Sequence, residues 1–370
     1  MRSVFVVSKP LEPPWTDGSK NLARDLLLGL ERYPARGMGR QGGARHIGGI
    51  ALEPVYPRRS PSGGPGFGAH EALYALRWLA FGARAPLWHF FFTPNPRTSG
   101  AARLVARLRA VRTVQTVCSA PALVGSSLRS LCFTDRIVVL SRKTEHLLLD
   151  AGLERERVVR IAPCAPPLTP PAAAARLRIR RALGLPAQAP VVVYPGDLEH
   201  EAAALRVLEA HGRLSREAWL VMACRTKSKR SARAYERLAE RARRLGTEPR
   251  VRWAGTSARI LQWLAGADVV ALPTETLCGK LDLPLVLLEA MALGRPVIVC
   301  EGTSAAELAE DGAAVAVPPD ADALAHALAR LLDDGQLRSD LGERALRTVR
   351  ERHDRSAMAR AYEAVYDALW

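Results

Sequence analysis

One stretch of the sequence decides the fold, and it reads Ala271-Leu272-Pro273-Thr274-Glu275-Thr276-Leu277-Cys278-Gly279-Lys280-Leu281-Asp282-Leu283-Pro284-Leu285-Val286-Leu287-Leu288-Glu289-Ala290-Met291-Ala292-Leu293-Gly294-Arg295-Pro296-Val297-Ile298-Val299. An apolar run stops at Pro273, a polar loop follows, and a longer apolar segment begins at Pro284. Another short apolar run follows Pro296. This succession predicts a buried strand, a loop, a helix and a second buried strand, which is the repeating unit of a parallel sheet.

The same stretch predicts a binding site. Pro284 stands where the first helical turn would begin, which suits its fixed φ and its missing N–H. The free amides and the dipole of that turn form an anion site, and ligands of open parallel sheets bind at the carboxyl ends of strands. Glu289 lies one turn further along, on the same face as Leu285. We therefore predict that Glu289 accepts the hydroxyls of a ribose while the helix start at Leu285 holds a diphosphate. The alternative is that Glu289 is an ordinary solvated helix residue.

Strand-like and helix-like runs alternate over the rest of the chain. Strands are predicted at 3–8, 86–92, 113–118, 135–140 and 157–162, and again at 190–194, 218–223, 250–254, 268–272 and 296–300. Helices are predicted at 19–32, 99–110, 141–152, 230–245, 320–333, 338–352 and 355–369. Two such sets within 370 residues predict an α/β protein of two domains.

The domain boundary is predicted from a proline-rich connector at 163–190. We assign residues 1–168 to an N-terminal domain and residues 169–354 to a C-terminal domain. The last helix comes after the second set of strands is complete, and we assign 355–370 to the N-terminal domain. Residues 53–69 are rich in Pro, Gly and Ser and are predicted to form a surface loop.

Composition limits the classes of function. The net charge of +16 favours anionic partners, although only six of the 53 basic residues are lysines, which also suits the coding bias of a GC-rich genome. The six cysteines are scattered without metal-ligand spacing, so reduced thiols are expected. No run of about 18 apolar residues occurs, and the apolar N-terminal run is too short for a signal peptide. A cytoplasmic protein is expected, either free or peripheral at the inner face of the membrane.

The segment Leu287–Ile298 resembles the motif region of family 4 glycosyltransferases that contains two glutamates. Other segments resemble further motifs of that family in the same order, namely 135–141, 161–163, 251–255, 264–273 and 302–308. The resemblance implies the GT-B fold, in which two Rossmann-like domains with parallel sheets face a cleft and the C-terminal helix crosses back to the N-terminal domain. It also implies retaining transfer from a nucleotide-sugar donor with no cofactor and no metal.

The chain departs from the family pattern at the first glutamate. The resemblance places that residue eight positions before Glu289, where this chain has Leu281. Asp282 is adjacent and is our candidate catalytic carboxylate. The alternative is that Asp282 caps the helix that begins at Pro284, and the two roles are compatible.

A second departure follows the first strand of the C-terminal domain. The family has Gly-Arg-Leu there and a lysine shortly afterwards, both serving the diphosphate, whereas this chain has Gly196, Asp197 and no such lysine. Acids near a diphosphate repel it, so another cation should compensate. Arg225, Lys227 and Lys280 are the candidates, and each is alternatively a solvated loop cation. Backbone groups near Gly196 and Gly255 are expected to contact the donor.

The N-terminal domain should carry an acceptor or phosphate loop after its first strand. Gly18, Ser19 and Lys20 fit this role, because Gly18 permits close backbone approach and a helix starts near Ser19. The alternative is a plain turn capped by Asp17 or Ser19. His89 lies near the family's first-domain histidine and is a candidate catalytic residue, with a buried core histidine as the alternative.

Two other classes of function compete with the enzyme. A non-catalytic GT-B module that binds a nucleotide or glycan is favoured by the loss of the first glutamate and of the Arg/Lys pair. A nucleic-acid binder is suggested by the basic stretch 225–252, but its charges are scattered around a helix and mixed with acids. We therefore expect no nucleic-acid partner. A glycan or a lipid-linked acceptor is expected, and the basic surface could contact an anionic membrane.

Overall fold

Two sheets contain the strands of the chain. The computed structural model describes residues 2–58, 68–122, 125–215, 217–226, 228–256, 258–277, 280–310 and 312–370. The strands are β1 Val4–Val7, β2 Ala35–Arg40, β3 His46–Ile47, β4 Ile50–Tyr56, β5 Leu87–Phe91, β6 Arg112–Val117, β7 Arg136–Val139, β8 Val158–Arg160, β9 Val191–Tyr194, β10 Trp219–Met222, β11 Val251–Trp253, β12 Val269–Leu272, β13 Val297–Cys300 and β14 Val315–Val317.

Helices connect most of the strands. They are α1 Gly18–Gly29, α2 Ala69–Phe81, α3 Pro96–Leu108, α4 Gly125–Leu131, α5 Arg142–Asp150, α6 Ala173–Ala182, α7 Glu201–Gly212, α8 Lys229–Arg244, α9 Ile260–Gly266, α10 Leu285–Ala292, α11 Glu307–Glu310, α12 Ala321–Asp333, α13 Gly335–Arg352 and α14 Arg355–Asp367. Short 3-10 turns at 155–157, 198–200, 248–250 and 304–306 complete the connections.

The first sheet has the strand order β3-β4-β2-β1-β5-β6-β7-β8 and is parallel except for the β3–β4 pair. The chain runs outward from β1 to β2 on one side and continues from β5 on the other, so β1 and β5 flank the point where the strand order reverses. Val6 of β1 lies opposite His89 of β5, and His89 lies opposite Val114 of β6. His89 is therefore in the middle of the sheet.

The second sheet has the order β11-β10-β9-β12-β13-β14, and all its pairs are parallel. Its central strands read as continuous Val-rich runs because helices cover both faces, and β9, β12 and β13 are buried along their whole length. The order reverses between β9 and β12, where Val193 lies opposite Val270. Ligands of such sheets bind outside the carboxyl ends of the strands at this point.

The strands and helices group into two compact units. Unit 1 contains Met1–Cys164, Leu277–Leu283 and Asp354–Trp370, and unit 2 contains Ala165–Thr276 and Pro284–His353. The segment Leu277–Leu283 belongs to unit 1 although the sequence analysis assigned it to the C-terminal domain. Helix α14 packs against α1 in unit 1, where the Glu363 carboxylate accepts hydrogen bonds from the amides of Glu31 and Arg32 at 2.8 and 2.7 Å.

All ten predicted strands and all seven predicted helices are present, with bounds shifted by a few residues. The prediction that 53–69 is a loop is wrong for residues 53–56, which belong to β4, and residues 59–67 lie outside the described residues. The sequence analysis also missed β2, in which Arg and Gly residues alternate around Met38. Such a strand lacks the apolar run that identifies its neighbours.

Candidate functional site

The loops that follow β9 and β12 meet at the reversal point of the second sheet. After β9 the chain passes through Pro195 and Gly196, and after β12 it passes through Pro273 and Thr274. The side chains of Tyr194 and Thr274 are buried at these strand ends, and burial raises the pKa of Tyr194 well above its ordinary value. The sequence analysis missed both hydroxyls because residues of these types at strand ends resemble ordinary core positions.

Gly196 is required by a close contact inside unit 2. A Cβ atom at this position would lie 2.1 Å from Cζ and 2.3 Å from Oη of Tyr194. The tyrosine ring therefore occupies the space that any side chain at position 196 would need. Gly255 is different, because its φ of +61° is in the left-handed region that favours glycine, and no atom of the other described residues lies within 4 Å of a Cβ built there. A donor-binding role for either glycine stays a prediction.

Asp197 and Arg225 form an ion pair beside Gly196. Arg225 Nη2 lies 3.2 Å from Asp197 Oδ2, and the two residues form an isolated parallel β-bridge. The Asp197 side chain is 2% exposed and that of Arg225 is 32% exposed. Asp197 Oδ1 also accepts a hydrogen bond from the Glu199 amide at 3.3 Å. The acid that replaces the expected arginine thus lies against Arg225, which follows β10. A donor-binding role for Arg225 stays a prediction, and Lys227 lies outside the described residues.

Helix α10 follows the β12 loop and carries Glu289. Pro284 is its N-cap rather than its first helical residue, so the prediction that Pro284 lies inside the first turn is wrong by one position. Leu285 begins the helix and is buried, whereas Glu289, one turn further, is half-buried. The first amides of the helix have no acceptor inside it. A carboxylate and a helix start therefore lie one turn apart on the helix that follows β12, and their donor-binding role stays a prediction.

Arg206 of α7 supports the β12 loop. Its guanidinium donates to the Pro273 carbonyl at 2.9 Å and pairs with the Glu275 carboxylate. The Arg206 side chain is 10% exposed. The sequence analysis missed this residue because an arginine inside a helix usually indicates a solvated face.

The segment Leu277–Leu283 is held by other parts of unit 1. Ser141 Oγ donates to Asp282 Oδ2 at 2.5 Å, and the Asp282 amide donates to the Cys118 carbonyl at 2.8 Å. Asp282 is 1% exposed. The alternative that Asp282 caps α10 is wrong, because that helix start has no side-chain cap. Lys280 is half-buried in the same segment, and its donor-binding role stays a prediction.

The loop before α1 is organised by Asp17, the N-cap of that helix. Its carboxylate accepts from Lys9 Nζ at 2.5 Å and from Ser19 Oγ at 2.6 Å. Burial opposes ionisation, but Lys9 and these hydrogen bonds lower the pKa of Asp17 to about 2. Lys20 Nζ donates to the Pro14 carbonyl at 3.2 Å, and burial lowers its pKa.

Gly18 faces a protein side chain. A Cβ atom at Gly18 would lie 3.2 Å from Cβ of Leu281. The close approach predicted for Gly18 is therefore made by Leu281, the residue at the position of the missing glutamate. Binding of acceptor or phosphate by Gly18, Ser19 and Lys20 stays a prediction, and the alternative of a turn capped by Asp17 describes the observed geometry.

His89 lies in the core of unit 1. Its side chain is fully buried, with Nδ1 2.7 Å from Tyr366 Oη and Nε2 2.8 Å from Thr116 Oγ1. Burial lowers the pKa of His89 to about 3. Both ring nitrogens thus join β5 to β6 and α14. This geometry corrects the candidate catalytic role and agrees with the core alternative.

Acidification should destabilise the fold through His89. The unfolded chain takes up a proton below about pH 6.5, whereas the folded protein does so only near pH 3. The contribution of His89 to the free energy of unfolding is therefore fully present above about pH 6.5. It decreases as the pH falls, by about 2 kcal/mol between about pH 7 and about pH 5. Urea unfolding at both pH values measures this loss, which should be smaller in His89→Gln.

His211 provides the control for this experiment. It is also buried, and burial lowers its pKa. A His211→Gln variant should retain the His89 contribution. An unchanged pH dependence in His89→Gln would contradict the assignment of the acid sensitivity to His89.

Within the described part of the chain, no group of three or more His, Cys, Asp or Glu side chains could hold a metal ion. Metal independence stays a prediction. None of the described helices is long and apolar enough to cross a membrane.

Residues 189–334 match the family model of group 1 glycosyl transferases. Comparison with curated protein sequences finds no match. The matched range contains the whole reversal point of the second sheet, including Gly196, Arg225 and Glu289.

Solved structures of similar fold span the whole chain. HepE from Anabaena in complex with UDP and glucose has a TM-score of 0.81 and 18% identity over 99% of this chain and 100% of its own. Sucrose-phosphate synthase from Thermosynechococcus elongatus has a TM-score of 0.78 and 18% identity over 100% and 99%. WaaG, a glycosyltransferase involved in lipopolysaccharide biosynthesis, has a TM-score of 0.69 and 16% identity over 99% of both chains. These matches confirm the predicted GT-B fold.

Proposed function

We propose a specific reaction for this chain, whose residues 189–334 match the family model of group 1 glycosyl transferases and which has the GT-B fold. The reaction is transfer of a sugar from a nucleotide-sugar donor to a glycan, lipid-linked or small-molecule acceptor, with retention of the anomeric configuration. The resemblance to family 4 supports retention, and it also supports catalysis without a metal ion or cofactor. The solved HepE complexes contain UDP, UDP-glucose or UDP with glucose, which makes a UDP-sugar the first donor to test.

The observation that carries the proposal is the arrangement at the reversal point of the second sheet. The half-buried carboxylate of Glu289 and the start of α10 lie after β12, and the Asp197–Arg225 pair lies after the adjacent β9. Glu289 would accept hydrogen bonds from the donor ribose. The amides at Leu285 and the guanidinium of Arg225 would stabilise the diphosphate.

The chemistry then requires stabilisation of a leaving group. The acceptor oxygen forms a bond to the anomeric carbon while the bond from that carbon to the diphosphate oxygen breaks. The acceptor proton passes to the departing diphosphate, whose remaining charge is held by the helix start and by cations. Asp282, buried against Ser141, is assigned to positioning its segment rather than to contact with the reacting atoms.

The non-catalytic alternative has one specific observation in its favour. Leu281 replaces the glutamate that the family pattern expects, and it is buried at 8% exposure. A GT-B module of this kind would bind a nucleotide sugar without consuming it. Appearance of free nucleoside diphosphate in the presence of candidate acceptors distinguishes the enzyme from the module.

Saturation-transfer NMR with UDP-, GDP- and ADP-sugars tests the donor site. We expect one donor to bind and its affinity to fall by about tenfold to a hundredfold in Glu289→Gln, because a hydrogen bond to a charged group contributes about 1.5–3 kcal/mol. Glu343→Gln is the matched control, since Glu343 is exposed on α13 of the same unit. Equal donor affinities in both variants would refute the assignment of Glu289.

We further propose that the protein is cytoplasmic and makes peripheral contact with an anionic membrane. The net charge of +16 supports this proposal. A lipid-linked acceptor would then be met at the membrane surface.

A further inference from the structure

Unit 1 contains a cavity whose described lining residues include four arginines and no acid. Its volume is about 380 Å³, and Arg103, Arg107, Arg129 and Arg157 line it together with Ser130, Cys132 and Phe133. Arg103 and Arg107 are one turn apart on α3, Arg129 is on α4, and Arg157 precedes β8. We call this group the arginine pocket.

Two of these arginines are fixed by backbone carbonyls. Arg103 donates to the Ser130 carbonyl, and Arg157 donates to the carbonyls of Cys132 and Thr134 at 3.0 and 2.8 Å. Arg107 and Arg129 are exposed. Among the described residues none of the four pairs with a carboxylate. Four guanidinium groups around one cavity repel one another, so an anion in the cavity would be stabilised by all of them.

Large apolar side chains are exposed on α3, which lines the pocket, and on α2, which packs against α3. On α3, Leu104 is 59% and Leu108 is 76% exposed, and on α2, Leu73 is 64% and Phe81 is 84% exposed. These are the four most exposed large hydrophobic residues of the described chain. Their concentration on two neighbouring helices marks an interaction surface rather than scattered surface residues.

The two helices are neighbours, and their exposed side chains form the α2–α3 face. Helices α2 and α3 pack against each other, and Arg109 after α3 donates to the carbonyls of Ala80 and Ala83 at the end of α2 at 3.1 and 2.8 Å. Phe81 and Leu108 thus belong to adjacent helix ends. Arg107 lies between Leu104 and Leu108 along α3. The face therefore combines exposed apolar side chains with unpaired cations.

We propose that this face of α2 and α3 docks on an anionic lipid bilayer, with a lipid phosphate in the arginine pocket. Apolar side chains enter the boundary between headgroups and acyl chains while arginines bind the phosphates. A soluble phosphate would use the pocket but would give no role to the exposed leucines. The inference rests on the membrane contact of the proposed function and assigns that contact to one surface.

Co-sedimentation of the full chain with vesicles tests this inference. We expect binding to phosphatidylcholine vesicles that contain phosphatidylglycerol, weak binding to phosphatidylcholine alone, and release at high salt. Since each basic residue near the surface contributes roughly fivefold to binding, Arg107→Gln with Arg129→Gln should weaken it by about 25-fold. Leu104→Ser with Leu108→Ser should also weaken it, by at least about tenfold.

Matched control variants distinguish the effect of this particular surface from the effect of removing any exposed charge or leucine. Arg347→Gln with Arg350→Gln removes the same charge from exposed positions of α13, and Leu261→Ser changes an exposed leucine of α9. Both controls should bind vesicles as the unmodified protein does. Equal losses in the α3 and α13 charge variants would overturn the proposal.

Other outcomes also decide the matter. No binding to anionic vesicles at low salt would overturn the proposal, as would binding of inorganic phosphate that requires Arg107 and Arg129 without any vesicle binding. Donor binding measured by NMR without vesicles is independent of these residues. Failure of the docking inference is therefore distinguishable from failure of the donor site.

Discussion

Gly196→Ala should reduce the free energy of unfolding by about 3 kcal/mol, because the new methyl group has no space. Its Cβ would lie 2.1 Å from the ring of Tyr194, which is fully buried at the end of β9. Either the ring or the loop must move, and a loop displacement carries Asp197 away from Arg225. Denaturant unfolding measures the loss of stability, and the NMR titration measures the accompanying loss of donor affinity.

Gly255→Ala is the matched control for this substitution. Gly255 follows a strand of the same sheet, but the cost there comes from its φ of +61° with no close atom. We expect a loss of about 1–2 kcal/mol. Replacing Tyr194 by leucine in the Gly196→Ala background should recover part of the stability, since the obstructing ring is gone. Equal losses at the two glycines, or no recovery, would contradict the steric explanation.

Asp282→Ala should destabilise the segment Leu277–Leu283 by about 2–3 kcal/mol, because a buried hydroxyl loses its charged acceptor. Ser141 Oγ donates to Asp282 at 2.5 Å and also accepts from the Thr144 amide at 3.0 Å, so the carboxylate is tied to the start of α5. The expected change is local opening of the segment. Faster hydrogen exchange of the Asp282 amide, which is bonded to the Cys118 carbonyl, would reveal it.

Asp282→Asn separates positioning from chemistry. An asparagine can still accept the hydrogen bond from Ser141, so both protection of the segment and sugar-transfer activity should recover for the most part. A carboxylate that acts on the substrate could not be replaced in this way. Restored protection with activity as low as in Asp282→Ala would show that Asp282 takes part in catalysis. A double-mutant cycle with Ser141→Ala measures the coupling directly.

The alternation of strands and helices was predictable from the sequence because each buried parallel strand is a short apolar run. The exceptions have physical reasons. Strand β2 carries Arg and Gly residues instead of an apolar run. Strand β4 contains Pro54, and a proline in a sequence usually indicates a loop rather than a strand interior.

The candidate site was predictable in part. Glu289 and the start of α10 follow from local pattern alone. Strands β9 and β10 are paired with their last residues, Tyr194 and Met222, opposite each other. Asp197 and Arg225 each lie three residues beyond these ends, so the strand register could have identified them as neighbours. The bond between Ser141 and Asp282 has no such signal, since it joins residues 141 positions apart. The position of His89 in the core depends on its contact with Tyr366, which lies 277 positions further along the chain, so no local pattern could reveal it.

The composition of unit 1 has a consequence for biosynthesis. Because this unit combines Met1–Cys164 with Leu277–Leu283 and Asp354–Trp370, a nascent polypeptide cannot complete it on the ribosome until residues 354–370 have been synthesised. The hydrogen bond between His89 and Tyr366 cannot form before Tyr366 has been synthesised. The same holds for the bonds from the amides of Glu31 and Arg32 to Glu363. Unit 2, drawn from a shorter span of the chain, can fold during translation. A fragment that stops at Cys164 would lack α14. The surface of unit 1 that α14 covers would then be exposed, and the fragment would be prone to aggregate through it.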